Sequence, residues 1–219
     1  MTGPPAASLL SGWLAVCGLQ REAKLWGGRA VVGGGQSDQL ARRLETAIME
    51  GRPPGLVSFG LAGALAADLN VGDALIAGSV VTDRERWDCD QAVSKTLAAA
   101  LGLPIVDLFG SDQVIAGLEA KRALNRLGAA VDMESQAAAR VAGRHGLPLV
   151  VLRVISDAAD DVLPPAAVAG FREDGGIDVL AVIAALARDP RQLPDLMKMG
   201  RNSGVAFGRL RTLARQAAG

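Results

Sequence analysis

Histidine, cysteine and net charge are all scarce in this chain, and each shortage removes a class of function. The single histidine, His145, lies between Arg144 and Gly146. A Ser-His-Asp hydrolase or a His-ligated metal centre would have to be built around that one side chain, which reads better as the C-terminal end of a helix. The two cysteines, Cys17 and Cys89, form no C-x-x-C pair and have no third partner, which argues against a disulfide framework or a zinc site and fits a reducing cytoplasm. Acidic and basic residues number 23 each, so the basic excess usual in nucleic-acid binding is missing. The local basic set Lys198, Arg201, Arg209, Arg211 and Arg215 reads as a solvated helix face. No run reaches the ~20 apolar residues of a membrane-spanning helix. Ala6–Leu19 is apolar but lacks the basic start and small-x-small cleavage site of a signal peptide.

What is present is apolar: half of the 219 residues are hydrophobic. This is a length for one domain, residues 1–219, with enough material for a substantial core. Leu14–Gly18 reads as a short buried strand, Gln20–Trp26 as a helical turn and Arg29–Gly33 as a second strand. Ser37 is the expected N-cap of a helix running to Gly51, with Leu40, Leu44, Ala47 and Ile48 on one face. Gly55–Gly60 is a third strand, expected to end in a small-residue turn, Gly60–Gly63. Ala74–Val81 is a fourth strand, and Asp83–Asp90 a charged loop around Trp87. Gln91–Leu101 is a helix stopped by Gly102, Leu103–Phe109 a strand, and Leu118–Leu127 a helix stopped by Gly128. Ala129–Asp132, a helix to His145 and Leu147–Asp157 form a β-to-α-to-β unit. Asp178–Arg188 and Asp195–Gln216 read as two covering helices. Alternating strands and helices predict an α/β fold, a three-layer α/β/α sandwich with a mixed central sheet.

The central unit carries the chemistry. Glu134 falls where a strand passes to a helix, and Asp157 where the next strand ends; ligands of open α/β sheets bind beyond the carboxyl ends of strands. Each acid has an ordinary alternative, Glu134 as complement to a helix macrodipole and Asp157 as an Asx-turn. As a pair they suit glycosidic cleavage, in which one carboxyl group assists the leaving group and the other stands beside a sugar cation. The small residues Gly60–Gly63 would let a ligand approach the backbone, or let a helix pack closely on the sheet. Gly33-Gly-Gly-Gln-Ser-Asp38 follows a strand and precedes a helix, but Asp38 stands where a dinucleotide loop needs its third glycine.

Ser58-Phe-Gly-Leu-Ala-Gly63, Val131-Asp-Met-Glu-Ser135 and Ile155-Ser-Asp157, in that order, resemble the nucleoside phosphorylase and nucleosidase superfamily, which includes the methylthioadenosine/S-adenosylhomocysteine nucleosidases. Arg153–Asp157, Leu163-Pro-Pro165, Gly175-Gly-Ile-Asp178 and Asp189-Pro-Arg-Gln-Leu-Pro194 further resemble its hopanoid-associated branch, implicated in removing adenine from adenosylhopane. The resemblance implies that Glu134 holds the ribose hydroxyls and stabilises the ribosyl cation, with Met133 against the sugar. Asp157, helped by Ser156, would protonate or hydrogen-bond purine N7. Backbone groups at Ala62 and Gly63 would border the nucleophile and sugar. Glu22 is the nearest acid to the position that activates water, one place off the family spacing, with Ala23 at the matching place. Where many phosphorylases of the superfamily have a phosphate-binding arginine and serine, this chain has Ser58 and Leu61, which supply no cation; Arg21 or Arg84 would have to bring charge from elsewhere.

The expectation is therefore hydrolytic release of adenine without a cofactor or metal, from an adenine nucleoside with a hydrophobic 5′ tail. Trp13, Trp26, Trp87 and Phe171 are candidates to line that tail or to pack in the core. A cytoplasmic homodimer that touches a membrane surface transiently completes the reading. Its rivals are phosphorolysis, a smaller substrate such as methylthioadenosine, and a non-catalytic nucleotide-binding module.

Overall fold

The computed structural model describes residues 9–34, 36–170 and 178–217; Phe171, the 175–177 part of the glycine motif and Gly35 lie outside them. In chain order the elements are β1 (Leu14–Cys17), α1 (Gln20–Trp26), β2 (Ala30–Val32), α2 (Ser37–Gly51), β3 (Leu56–Ala64), β4 (Ala74–Val81), β5 (Arg86–Asp88), α3 (Gln91–Leu101), β6 (Ile105–Gly110), α4 (Leu118–Leu124), β7 (Ala130–Asp132), α5 (Ser135–His145), β8 (Leu149–Asp157), α6 (Pro165–Ala169), α7 (Val179–Arg188), a 3-10 turn (Pro190–Gln192) and α8 (Leu193–Ala217).

Side-chain alternation along the strands builds the two core faces. Leu14, Val16, Leu56, Leu75, Ala77, Val151 and Ile155 pack with Leu40, Leu44 and Ile48 of α2 and the alanine-rich face of α5. The intervening residues Ala15, Cys17, Val57, Phe59, Ile76, Val150, Leu152 and Val154 pack with Trp26 of α1, Leu97 of α3 and Phe207, Leu210 and Leu213 of α8. A mixed sheet between two helical layers is thus the observed architecture.

The sheet also closes on itself. β3 pairs in parallel with β1 and β8 and antiparallel with β7. β8 runs on antiparallel to β4, β4 pairs in parallel with β6, and β6 with β7. The five strands β3, β8, β4, β6 and β7 therefore form a ring, from which β1–β2 and β5 extend.

Four local expectations are corrected. Gly60–Gly63 is not a turn: β3 continues to Ala64, because β8 pairs with it from Leu56 to Gly63, with an irregularity between Ala62 and Gly63. The small residues serve close approach rather than chain reversal. Arg86–Asp88 in the expected charged loop is a short strand, held by antiparallel pairing to Ser79–Val81. Ser37 is the first residue of α2 rather than its cap; its hydroxyl accepts from Gln136 Nε2 at 3.2 Å. Helix α4 ends at Leu124, short of its expected last residue, Leu127.

Candidate active site

Four carboxyl groups gather at neighbouring strand ends, those of Asp132, Glu134 and Asp157 and, from a helix, that of Glu22. Gly63 of β3 pairs with Val131 of β7 on one side and with Asp157 of β8 on the other. Asp157 and the Asp132-Met-Glu134 corner therefore flank the same stretch of β3. Glu134 follows β7 as the N-cap residue of α5, yet its side chain makes no capping bond. Asp132 does that work, accepting Ser135 N–H at 3.3 and 3.2 Å. The Glu134 carboxyl group is thereby left without a capping bond and extends toward the end of β1. A Cβ on Gly18 would stand 2.8 Å from Glu134 Oε1, and one on Gly33 3.4 Å from its Cγ. Glycine at position 18 is what makes room for it; at Gly33 the missing Cβ makes room for Leu40, 2.8 Å away.

Glu22 arrives from α1 at the same place. It is 2% exposed, and its Oε2 accepts Gly18 N–H and Leu19 N–H at 2.8 Å each. Its Oε1 accepts Leu61 N–H of β3 at 2.9 Å. A helix-start carboxylate reaching back to the N-cap N–H is ordinary; the third bond, 39 residues away in sequence, ties it to the strand.

Between the acids lies Arg153 of β8, fully buried. Its Nη2 donates to Ser58 Oγ at 2.6 Å and Ser135 Oγ at 3.1 Å, ion-pairs with Asp132, and stands 4.0 Å from Glu134 Oε2. Its Nε and Nη1 make no hydrogen bond among the described residues. Nη1 points toward Gly60: a Cβ there would be 2.5 Å from Nη1 and 2.6 Å from Glu22 Oε1. A donor and an acceptor thus converge over one glycine.

Burial dominates the titration of these groups. It raises Glu22 above the usual carboxylate range against the opposing pull of Arg153 and three backbone N–H groups. Burial also pushes Glu134 up to about 8, reinforced by the negative charges of Asp132 and Glu22 and opposed by Arg153. Burial raises the Cys17 thiol well above its ordinary range, again with help from Glu22. One guanidinium among three acids cannot hold all of them ionised in a medium of low dielectric.

Asp157 is in a different setting. Its Oδ2 receives Lys121 Nζ–H at 2.6 Å, and Lys121, from α4, is 1% exposed. The Ser156 hydroxyl lies 3.0 Å from Asp157 Oδ1 and 3.3 Å from Ala62 O. The Asx-turn alternative is not what the described residues show: Asp157 bonds Lys121 and Ser156, and the neighbouring Ala158 N–H goes to the Asp161 carboxylate at 3.0 Å. Beside Asp157 opens a cavity of about 310 Å³, lined by Ser156, Asp160, Val162, Leu163, Lys198 and Met199 among others. Gly63 is glycine for a reason: a Cβ would sit 2.9 Å from Asp157 Oδ2.

Of the residues singled out in the sequence, Glu134, Glu22, Ala62, Gly63, Ser156 and Asp157 come together at this end of the sheet, with half-buried Met133 next to Glu134. Ser58 does not line the crevice. It is fully buried, its hydroxyl held between Ser135 and Arg153. The basic side chains considered as outside sources of charge also lie elsewhere: Arg21 stacks over the Phe207 ring at 4.0 Å, and Arg84 is exposed in the turn before β5. Trp13 and Trp26 are buried, Trp26 against Phe59. Both border a second cavity of about 420 Å³ with Arg29 and Arg215, away from the acids. Trp87 packs on the first core face. His145 is the exposed last residue of α5. Among the described residues no group of three His, Cys, Asp and Glu is arranged for a metal ion.

Sequence reading missed Arg153, Asp132 and Lys121 as members of the site. For Arg153 a signal existed: a lone charge inside Leu149–Ile155 must find partners once that strand is buried. For Lys121 there was none, since Leu118–Leu124 reads as an ordinary surface helix.

The structure of a Helicobacter pylori methylthioadenosine nucleosidase point mutant, with 5′-methylthioadenosine in its active site, aligns with a TM-score of 0.63 at 14% identity, covering 93% of this chain and 98% of that one. Futalosine hydrolase of the same organism aligns at 0.61 and 17%, covering 95% and 99%. Methylthioadenosine nucleosidase of Arabidopsis thaliana in its apo form aligns at 0.64 and 14%, covering 95% and 96%. At these identities the likeness is one of fold. No curated sequence matches. A family profile described as the phosphorylase superfamily matches residues 22–188, most of the chain, and with it the chain belongs to the phosphorylase superfamily.

Proposed function

We propose that this protein cleaves the N-glycosidic bond of an adenine nucleoside by hydrolysis and releases adenine. The observation that carries the reading is the seating of Glu22: its carboxyl group takes the N–H groups of Gly18, Leu19 and Leu61, with Glu134 beside it and Asp157 on the adjacent strand end. Backbone donors that would otherwise cradle an anion are filled by the protein's own carboxyl group. A phosphate would also have to share the single guanidinium of Arg153 with Asp132, Glu134 and Glu22. A water molecule over Gly60 would accept from Arg153 Nη1 and give its proton to Glu22 Oε1. The raised affinity of Glu22 for protons makes it a better base than an exposed glutamate. Glu134 then stands beside the ribosyl cation, and Asp157, with Ser156, faces purine N7.

The substrate we favour is adenosylhopane. Support comes from the apolar side chains at the Asp157 cavity, Val162, Leu163, Pro164 and Met199, and from Val168, Leu180, Ile183, Leu193 and Met197, all exposed in the elements that follow. A large apolar 5′ group gains by leaving water for such surroundings. The same exposed side chains suit transient contact with a membrane surface and a homodimer in the cytoplasm; among the described residues no helix is long and apolar enough to cross a membrane.

The unpartnered nitrogens of Arg153 favour one second reading, phosphorolysis. Adenine release from adenosylhopane and a short panel of 5′-substituted adenosines, with and without inorganic phosphate, decides between them. Hydrolysis gives release that is independent of phosphate; strict dependence on phosphate overturns it.

A further inference from the structure

Lys121 takes no part in the hydrolysis described above, yet it is the residue most firmly bound to the acid that faces the base. Its ammonium is buried and all three of its N–H groups are committed: to Asp157 Oδ2 at 2.6 Å, to Ala158 O at 2.8 Å and to Asp161 O at 3.1 Å. Asp157 accepts at both carboxyl oxygens, from Lys121 at Oδ2 and from Ser156 at Oδ1; the leaving adenine nevertheless requires a proton at N7 or a strong hydrogen bond there. We propose that Lys121 is a positioning residue that acts through Asp157, holding the proton that the departing base receives. This rests on the reading that the chain releases adenine.

The atoms balance. As the bond from ribose to purine N9 breaks, its electron pair enters the purine ring and N7 takes a proton from the Asp157 carboxyl group. Asp157 has that proton from Lys121 Nζ, passed along the existing 2.6 Å contact. The ammonium becomes a neutral amine with two N–H groups, and two carbonyls, Ala158 O and Asp161 O, remain to receive them. Its lone pair faces the Asp157 carboxyl group. The transfer therefore leaves no buried donor unpaired, which is the usual cost of discharging a buried lysine. Occupation of the neighbouring cavity by substrate excludes water, and a buried ion pair in dry surroundings loses part of its advantage over the neutral pair. The proton that water leaves on Glu22 returns to Lys121 through solvent after the products depart.

The geometry also explains why a lysine and not an arginine stands here. Arginine would keep the charge and the donors but does not surrender a proton in proteins. The test uses two substrates for each variant: adenosylhopane or 5′-methylthioadenosine, whose base must be protonated, and 4-nitrophenyl riboside, whose leaving phenolate needs no proton. For Lys121→Met we expect kcat for adenine release to fall at least about 100-fold, with nitrophenol release within about threefold of wild type. For Lys121→Arg we expect an adenosine KM close to wild type with kcat still lost. The proposal is overturned if the arginine variant restores adenine release, or if both substrates fall together in Lys121→Met, which is how a purely structural lysine behaves. Wild type that cleaves neither substrate fails differently, sinking the nucleosidase reading itself.

Discussion

In the proposed hydrolysis Glu134 sets function against stability within one side chain. Folding raises its affinity for protons, so between about 4.5, its ordinary value, and about 8 the native chain holds a proton that the unfolded chain has released. The stability this group contributes is complete below the lower value and is lost as pH rises through the upper one. Glu22 is shifted in the same direction. Glutamine is neutral at every pH, so Glu134→Gln is expected to raise the melting temperature at pH 8, by about 2–4 °C for each kcal/mol recovered, with little change near pH 4.5, while adenine release is lost. Thermal melts at the two pH values check this; a lower melting temperature at both would mean that Glu134 is held for packing. Arg153 is the counterpart. Replacing it with methionine leaves Asp132, Glu134 and Glu22 buried without their shared cation, and the expected loss is about 3–5 kcal/mol, read as a lower denaturant midpoint.

At the level of the element, β3 is where sequence and structure part most clearly. Gly60-Leu-Ala-Gly63 carries the local marks of a turn, since glycine and small residues punctuate chains. What keeps the chain extended is pairing with the far later β8, and no local pattern announces that. The two glycines are then needed for what stands over them: Arg153 and Glu22 above Gly60, Asp157 above Gly63. Gly60→Ala would drive a methyl group into the space where Nη1 and Oε1 converge. We expect kcat to drop at least about tenfold, because a misplacement of this size beside reacting groups is costly, with β3 still formed by circular dichroism. Unchanged kcat would remove Gly60 from the nucleophile's side. By contrast the positions of Glu134 and Asp157 were legible, because both sit where a strand of strong apolar pattern ends, and strand ends are dictated locally. Lys121 was not legible. Nothing in Leu118–Leu124 separates it from Arg122 except which way packing turns the helix.

For the whole molecule, the alternation of strands and helices announced the layers, whereas strands apolar on both sides gave no sign of which residue faces which helical layer. Closure of the ring was hidden, since it depends on β3 and β4 each accepting a partner from distant sequence. The surface carries a further consequence. Helix α7 is apolar almost throughout, yet Leu180 and Ile183 are exposed, as are Leu193 and Met197 after it. Such an apolar band favours burial against another surface. Sedimentation of the full chain is expected to give a dimer, and Leu180→Ser with Ile183→Ser a monomer. A wild-type monomer at all concentrations would reserve the band for lipid or substrate.

Strand β8 is the last of the eight to be made, and it is laid between β3 and β4, both finished long before it. It brings Arg153 and Asp157 with it. A nascent chain that has not yet delivered this segment carries two unzipped sheet edges and neither the buried guanidinium of Arg153 nor the Asp157 carboxyl group. Such long-range zipping is slow, and unpaired strand edges are exposed for as long as it takes.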